Sequence, residues 1–214
     1  MRTDILRSQG QSEIILGVLE FHPGAIENAQ KKLKPMKELI SSDQIKTRIA
    51  ELGKQVSLDF SGVVSPERPL VLLGILKGGF MFLADLVREL TVPVEIEFVT
   101  MSSYGQQLHS SGHVEIQQAP TLDLEHRRVL VVEDIADTGR SLANLLKYLE
   151  PLRPAEVRVC VFLDKPEARV VPVSLDYIGF TIPDKFVVGY GLDAGQHYRQ
   201  LPGLFELGEI KNEK

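Results

Sequence analysis

Two stretches of this chain repeat one pattern, and that pattern limits the folds open to it. Leu70–Leu76 is a continuous apolar run that ends in Lys77-Gly78-Gly79, after which Phe80, Leu83, Ala84, Val87 and Leu90 recur at helical spacing. Val129–Val132 is a second apolar run; it passes through Glu133–Gly139 into a stretch carrying Leu142, Leu145, Leu146 and Leu149. An apolar run without alternation is the signature of a strand buried on both faces, and the three-to-four spacing that follows is that of an amphipathic helix. Strand, turn and helix in repeated order imply crossover connections and a doubly wound, mostly parallel sheet of the α/β class.

Further strands are expected at Val94–Phe98, His113–Gln118, Val157–Leu163, Tyr177–Ile182 and Phe186–Tyr190. A helix is expected to open at a capping box, Ser41-Ser42-Asp43-Gln44, and to carry Ile45, Ile49, Leu52, Val56 and Phe60 on one face. Ligands of such sheets lie beyond the carboxyl ends of the strands, so the turns at Lys77–Gly79 and Glu133–Gly139 are the first places to look for chemistry.

Composition sets outer bounds. With 214 residues, 43% hydrophobic and 25% charged, the chain is an ordinary globular protein of about one domain. Its 24 basic and 29 acidic residues give a net charge of −5, which argues against broad nucleic-acid binding. The single cysteine, Cys160, reads as a small core residue, and a chain without a disulfide framework suits the reducing cytoplasm. No run of 18 apolar residues exists, so no membrane association is expected. Residues 1–38, with a short apolar run and a Lys31-Lys32-Leu33-Lys34 cluster that reads as a solvated helix face, are expected to form an N-terminal extension. Residues 39–214 are expected to form the functional domain.

The second turn carries the strongest chemistry. Glu133, Asp134 and Asp137 are expected where strand gives way to loop, and Thr138-Gly139-Arg140-Ser141 opens the next helix. Free N–H groups at a helix start, with hydroxyls beside them, form an anion cradle. Three carboxylates beside it would repel a bare phosphate, but they suit the hydroxyls of a phosphorylated sugar, or Mg²⁺. A Walker loop would need glycine five positions before Gly139, where Asp134 stands, and no strand is followed by Gly-x-Gly-x-x-Gly. His109 and His113 have a helical metal spacing, but the intervening Ser-Ser-Gly opposes a helix and no zinc site is expected.

The segment Val131-Val132-Glu133-Asp134-Ile135-Ala136-Asp137-Thr138-Gly139-Arg140-Ser141-Leu142 resembles the phosphoribosyl-pyrophosphate (PRPP) motif of type I phosphoribosyltransferases. Residues 39–207 as a whole are similar to the hypoxanthine/guanine branch of that family. The similarity rests also on Leu76-Lys77-Gly78-Gly79, Ser102-Ser103-Tyr104-Gly105, Asp164-Lys165-Pro166, and Asp184-Lys185-Phe186-Val187-Val188-Gly189-Tyr190 with Asp193 and Arg199.

The resemblance implies a Mg²⁺-dependent purine-salvage enzyme. It would transfer the 5-phosphoribosyl group of PRPP to hypoxanthine and/or guanine, with xanthine a third candidate, giving IMP or GMP and pyrophosphate. It further implies a type I phosphoribosyltransferase fold with a flexible lid and a small base-binding hood. Glu133 and Asp134 would hold the ribose diol and the Mg²⁺ shell, Asp137 would take the proton from purine N7, and Asp137, Thr138, Gly139, Arg140 and Ser141 would hold the 5′-phosphate. Lys77 and Gly78 would form the pyrophosphate turn, with a cis Leu76–Lys77 peptide. Ser103 and Tyr104 would begin the lid that runs to Gly112. Lys165 would donate to the purine 6-oxygen, Phe186 would stack on the base and the Val187 backbone would read its Watson–Crick edge. Asp193 would bind a second Mg²⁺ and Arg199 the pyrophosphate.

The family pattern is broken at Ala136, where a bulkier aliphatic is usual, at Gln117-Gln118-Ala119-Pro120, which lacks an acidic pattern, and at Ala194-Gly195, which replaces a tyrosine. Partners implied are small-molecule substrates and further copies of the chain, as a dimer or tetramer, with no nucleic acid and no membrane. The alternative is a PRPP-sensing regulatory module that binds nucleic acid; the net charge and the presence of Lys165, Phe186 and Asp137 disfavour it.

Overall fold

The computed structural model describes residues 36–103 and 114–208. Residues 36–207 form one unit, built around a six-stranded sheet and a smaller three-stranded one. The strands are β1 (Met36–Ile40), β2 (Leu70–Leu76), β3 (Val94–Ser103), β4 (Val114–Gln118), β5 (Arg128–Ala136), β6 (Glu156–Asp164), β7 (Tyr177–Thr181), β8 (Val187–Val188) and β9 (Leu204–Leu207). The helices are α1 (Ser42–Phe60), α2 (Phe80–Glu89) and α3 (Arg140–Leu149), with single 3₁₀ turns at Glu150–Leu152 and Pro166–Ala168.

The large sheet has the order β4-β3-β2-β5-β6-β7, parallel except for the antiparallel edge strand β4. β2 lies between β3 and β5, so the chain winds outward on both sides of it, and the expected α/β class with a mostly parallel sheet is what forms. Its apolar run is buried along its length: Leu70, Leu72 and Leu130 face the layer of α1 and α2, while Val71, Leu73 and Val131 face the layer of α3. α1 begins at the expected capping box, where the Ser41 hydroxyl accepts from the Gln44 N–H and the Gln44 side chain accepts from the Ser41 N–H. It buries Ile45, Ile49, Leu52, Val56 and Phe60, the face expected from the spacing.

Four expectations are corrected. Glu133 and Asp134 lie inside β5 rather than in a loop, because the pairing with β6 continues past the apolar run, through Glu133–Val161 to Ala136–Asp164. α2 buries Phe82, Leu83 and Leu86, with Phe82 tilted against Phe162 at 5.7 Å, while Phe80 at the helix start is 39% exposed. The strand at Phe186–Tyr190 shortens to Val187–Val188, since Gly189, Tyr190 and Gly191 all take positive φ and turn the chain away. The small sheet, β1-β9-β8, contains two strands that have no local signature. Residues 1–35 of the expected extension lie outside the described residues, and Met36–Glu38 belong to β1. The expected lid, from Tyr104 to Gly112, also lies outside them, as do His109 and His113. Among the described residues no helix is long and apolar enough to cross a membrane.

Candidate active site

The carboxyl ends of β2, β5 and β6 lie side by side, and each delivers one group of the expected residues. At the end of β2, the Leu76–Lys77 peptide is cis, and Lys77 is exposed on the turn before α2. Gly78 lies against the Asp134 carboxylate so closely that a Cβ there would overlap it. The turn also meets the hood, because a Cβ on Gly191 would strike the Gly78 carbonyl. Gly191 is fixed in turn by Arg199, whose Nη1 donates to its carbonyl at 2.7 Å and whose Nη2 pairs with Asp193 Oδ1 at 2.7 Å. Asp193 Oδ2 accepts from the Gln196 N–H at 2.6 Å.

β5 ends in the acids. Glu133 is buried, and its Oε2 has no hydrogen-bond partner among the described residues. Burial first, and then the neighbouring Asp134 charge, push the Glu133 carboxyl well above the usual carboxylate range; the Arg169 guanidinium opposes them. Burial likewise raises Asp134 to about 6, against the Ile135 and Asp134 backbone N–H groups and Arg199, with Asp193 adding to the rise. Burial makes the charge of this acid pair costly, and hydroxyls or a cation reaching it would offset that cost.

The expected anion cradle follows directly. Gly139, at φ 81°, turns the chain into α3, leaving the first N–H groups of the helix outside its internal ladder. A residue with a side chain would be strained at that φ, and its Cβ would collide with the Val171 carbonyl. Thr138 Oγ1 makes only a long contact, 3.5 Å, with the Arg140 N–H, so the cap is not closed by a side chain. Asp137, Thr138, Arg140 and Ser141 are all half-buried around this turn.

At the end of β6, Lys165 is 6% exposed, with its Nζ 3.5 Å from Asp184 Oδ1 and its N–H bonded to the Ala136 carbonyl at 3.0 Å. Two residues beyond Asp184, Phe186 is 58% exposed, an unusual state for a large aromatic unless something covers it. Val187 follows on β8, the edge of the hood sheet, so one side of its backbone has no strand partner among the described residues. Ser103 ends β3, and Tyr104 lies outside the described residues.

Sequence reasoning missed two groups. Arg169 donates from Nε to the Asp137 carbonyl and from Nη2 to the Ala136 carbonyl, both at 2.9 Å. Tyr190 donates from its hydroxyl to Asp85 Oδ2 at 2.6 Å, tying the hood to α2. Arg169 belongs to no motif, and Tyr190, though it ends the Asp184–Tyr190 motif, carried no expected role, so only the tertiary contacts reveal what either does.

A divalent ion fits this donor set in one particular way. Among the described residues no three His, Cys, Asp or Glu side chains converge as a ready-made metal site. Asp134 and Asp193 sense each other's charge, however, and Mg²⁺ is commonly held by one or two carboxylates with water and substrate phosphate completing its shell.

Residues 35–194 match the phosphoribosyl transferase domain family, and the chain belongs to that family. Its relatives within the family act in one corner of it. The hypoxanthine-guanine phosphoribosyltransferase of Aquifex aeolicus is 44% identical over 172 residues, covering 80% of this chain and 94% of the relative. The hypoxanthine phosphoribosyltransferase of Escherichia coli is 44% identical over 77% of this chain and 90% of its own length. The structure of the Trypanosoma cruzi hypoxanthine phosphoribosyltransferase in complex with its product IMP superimposes with a TM-score of 0.77 at 42% identity, covering 83% of this chain and 96% of the other.

Proposed function

We propose that this protein is a purine-salvage transferase that moves the 5-phosphoribosyl group of PRPP to hypoxanthine and/or guanine, with xanthine a third candidate, releasing pyrophosphate and forming IMP or GMP. The observation that carries the reading is the meeting, at three adjacent strand ends, of a glycine turn packed on Asp134, a helix start opened by Gly139 and a buried lysine.

Each part has a task. The α3 start and the Thr138 and Ser141 hydroxyls hold the 5′-phosphate. Glu133 and Asp134 accept from the ribose hydroxyls. The Lys77-Gly78 turn and Arg199 receive the pyrophosphate, the arginine fork suiting that anion. Asp134 and Asp193, with Glu133 beside them, would hold Mg²⁺, which would supply positive charge to offset that of the pyrophosphate. In the reaction, purine N9 forms its bond to C1′ while the C1′–O bond to pyrophosphate breaks, and the pyrophosphate departs with the electron pair. The N7 proton passes to the Asp137 carboxylate. Positioning compensates for the modest basicity of a carboxylate in that role. Ser103 and Tyr104 take part in binding PRPP.

Lys165 selects the base. It donates to a 6-oxygen, whereas adenine presents an amino donor there and would leave a buried group unpaired. Phe186 stacks on the purine and the free side of the Val187 backbone reads its Watson–Crick edge. The reading includes residence in the cytoplasm, assembly as a dimer or tetramer, and a catalytic domain that follows an N-terminal extension. Purified protein given PRPP, Mg²⁺ and each base in turn releases pyrophosphate with hypoxanthine, guanine or xanthine. Absence of turnover with all three contradicts the reading.

A further inference from the structure

Arg169 lies just past the 3₁₀ turn Pro166–Ala168, outside every motif that the proposed reaction uses. Its guanidinium nevertheless has three partners on two strand ends. Nε donates to the Asp137 carbonyl at 2.9 Å, and Nη2 donates both to the Ala136 carbonyl at 2.9 Å and to Asp164 Oδ1. The Asp164 side chain is 13% exposed and that of Arg169 15%, so the pair is largely removed from water.

Asp164 is the residue before the base-reading Lys165, and Lys165 donates its own N–H to the same Ala136 carbonyl. The segment then wraps the phosphate turn: the N–H groups of Val170 and Val171 both donate to the Thr138 carbonyl, at 3.0 and 2.9 Å. The Arg169 Cδ packs under Gly139, the pivot of the cradle, where a Cβ would come within 2.7 Å of it. Its charge also opposes the burial that raises Glu133.

We infer that Arg169 is a positioning residue that couples the two halves of the active site, fixing the 5′-phosphate turn against the strand that presents Lys165. This rests on the function proposed above. A planar guanidinium spans two carbonyls and a carboxylate in fixed directions, which an ammonium on a flexible stem does not. In the proposed reading Arg169 is not among the groups that hold base or phosphate, so its effect appears as cooperation between them. A phosphate in the cradle orders the turn, and through Arg169 the order reaches the lysine; coupling of this kind is reciprocal.

The test compares inosine with IMP, ligands that share the base and ribose and differ in the 5′-phosphate. In the wild type the phosphate tightens binding strongly. In Arg169→Lys the ratio of the inosine Kd to the IMP Kd falls about ten-fold or more, the scale typical of losing a supporting hydrogen-bond partner, and the KM for PRPP rises in step. Binding of inosine changes by less than about three-fold, since its direct contacts remain. Arg169→Ala behaves likewise, and millimolar methylguanidinium restores its IMP affinity. A cavity of about 330 Å³ lined by Arg169, Asp164, Pro166 and Val173 gives that small cation a way in. If Arg169 merely braced the fold, both ligands would weaken together with the thermal midpoint and the ratio would hold. An unchanged ratio in a folded Arg169→Lys protein overturns the inference, and so does a failure of methylguanidinium to act on folded Arg169→Ala. Turnover by the wild type separates the two levels: an active wild type with an unchanged ratio contradicts the coupling alone, whereas an inactive wild type contradicts the proposed function.

Discussion

Two acids a few residues apart are given different work by their surroundings. Asp134, packed beneath Gly78 and raised to about 6, is built to wait for a cation or hydroxyls. Asp137 stands half-buried at the mouth of the cradle, its backbone carbonyl held by Arg169. Asp137→Asn keeps the shape and removes the proton acceptor, so kcat should fall by about 10²–10⁴-fold while the PRPP affinity stays within a few-fold. Unchanged turnover would remove Asp137 from the proton transfer. The raised Asp134 also makes a prediction about pH. Because its folded-state value lies above the ordinary 3.8, the folded protein keeps a proton that the unfolded chain has lost between about pH 4 and 6. Its contribution is therefore least unfavourable below pH 4 and declines as pH rises through 6, by up to about 3 kcal/mol, in protein free of metal and substrate. Glu133 acts in the same direction. Urea midpoints measured with EDTA should show Asp134→Asn gaining on the wild type as pH rises from 4 to 7; parallel curves would contradict the burial of this acid.

At the scale of the element, β5 and α3 with the turn between them form the unit on which the site depends. Gly139→Ala puts a side chain at φ 81° and against the Val171 carbonyl. The left-handed conformation alone costs about 1–2 kcal/mol, so the thermal midpoint should fall and the KM for PRPP should rise. A variant as stable and as tight as the wild type would show that the turn tolerates another path. The same unit explains what the sequence could and could not reveal. Its apolar run and helical leucines are local patterns, so β5 and α3 were legible. The end of β5 was not, because apolar composition reports burial whereas strand length follows pairing with β6, which carries Glu133 and Asp134 into the sheet. β1 and β9 escaped for a related reason: Met36 pairs with Leu207 across almost the whole domain, and neither short strand alternates clearly. Arg169 left no trace at all, since an arginine in a polar segment is indistinguishable from a surface charge until its partners are seen.

The whole molecule reconciles an acidic chain with a heavily phosphorylated substrate. A net charge of −5 belongs to the chain as a whole, while on the proposed reading the anion sites are made locally from backbone N–H groups, glycine turns and the Arg199 fork. The sheet order places β2, β5 and β6 side by side at the point where the chain winds outward in both directions, the place where sheets of this kind hold their ligands. Under the proposed function, the strand β8 and the buried Lys165 decide which base enters. That decision is the most exposed part of the proposal, and one competition measurement addresses it: kcat/KM for hypoxanthine against adenine with PRPP and Mg²⁺ held constant. A preference for hypoxanthine of about 10⁴ or more is expected from a lysine donor facing the 6-position. Equal use of adenine, or nucleotide formation from neither base, would contradict it.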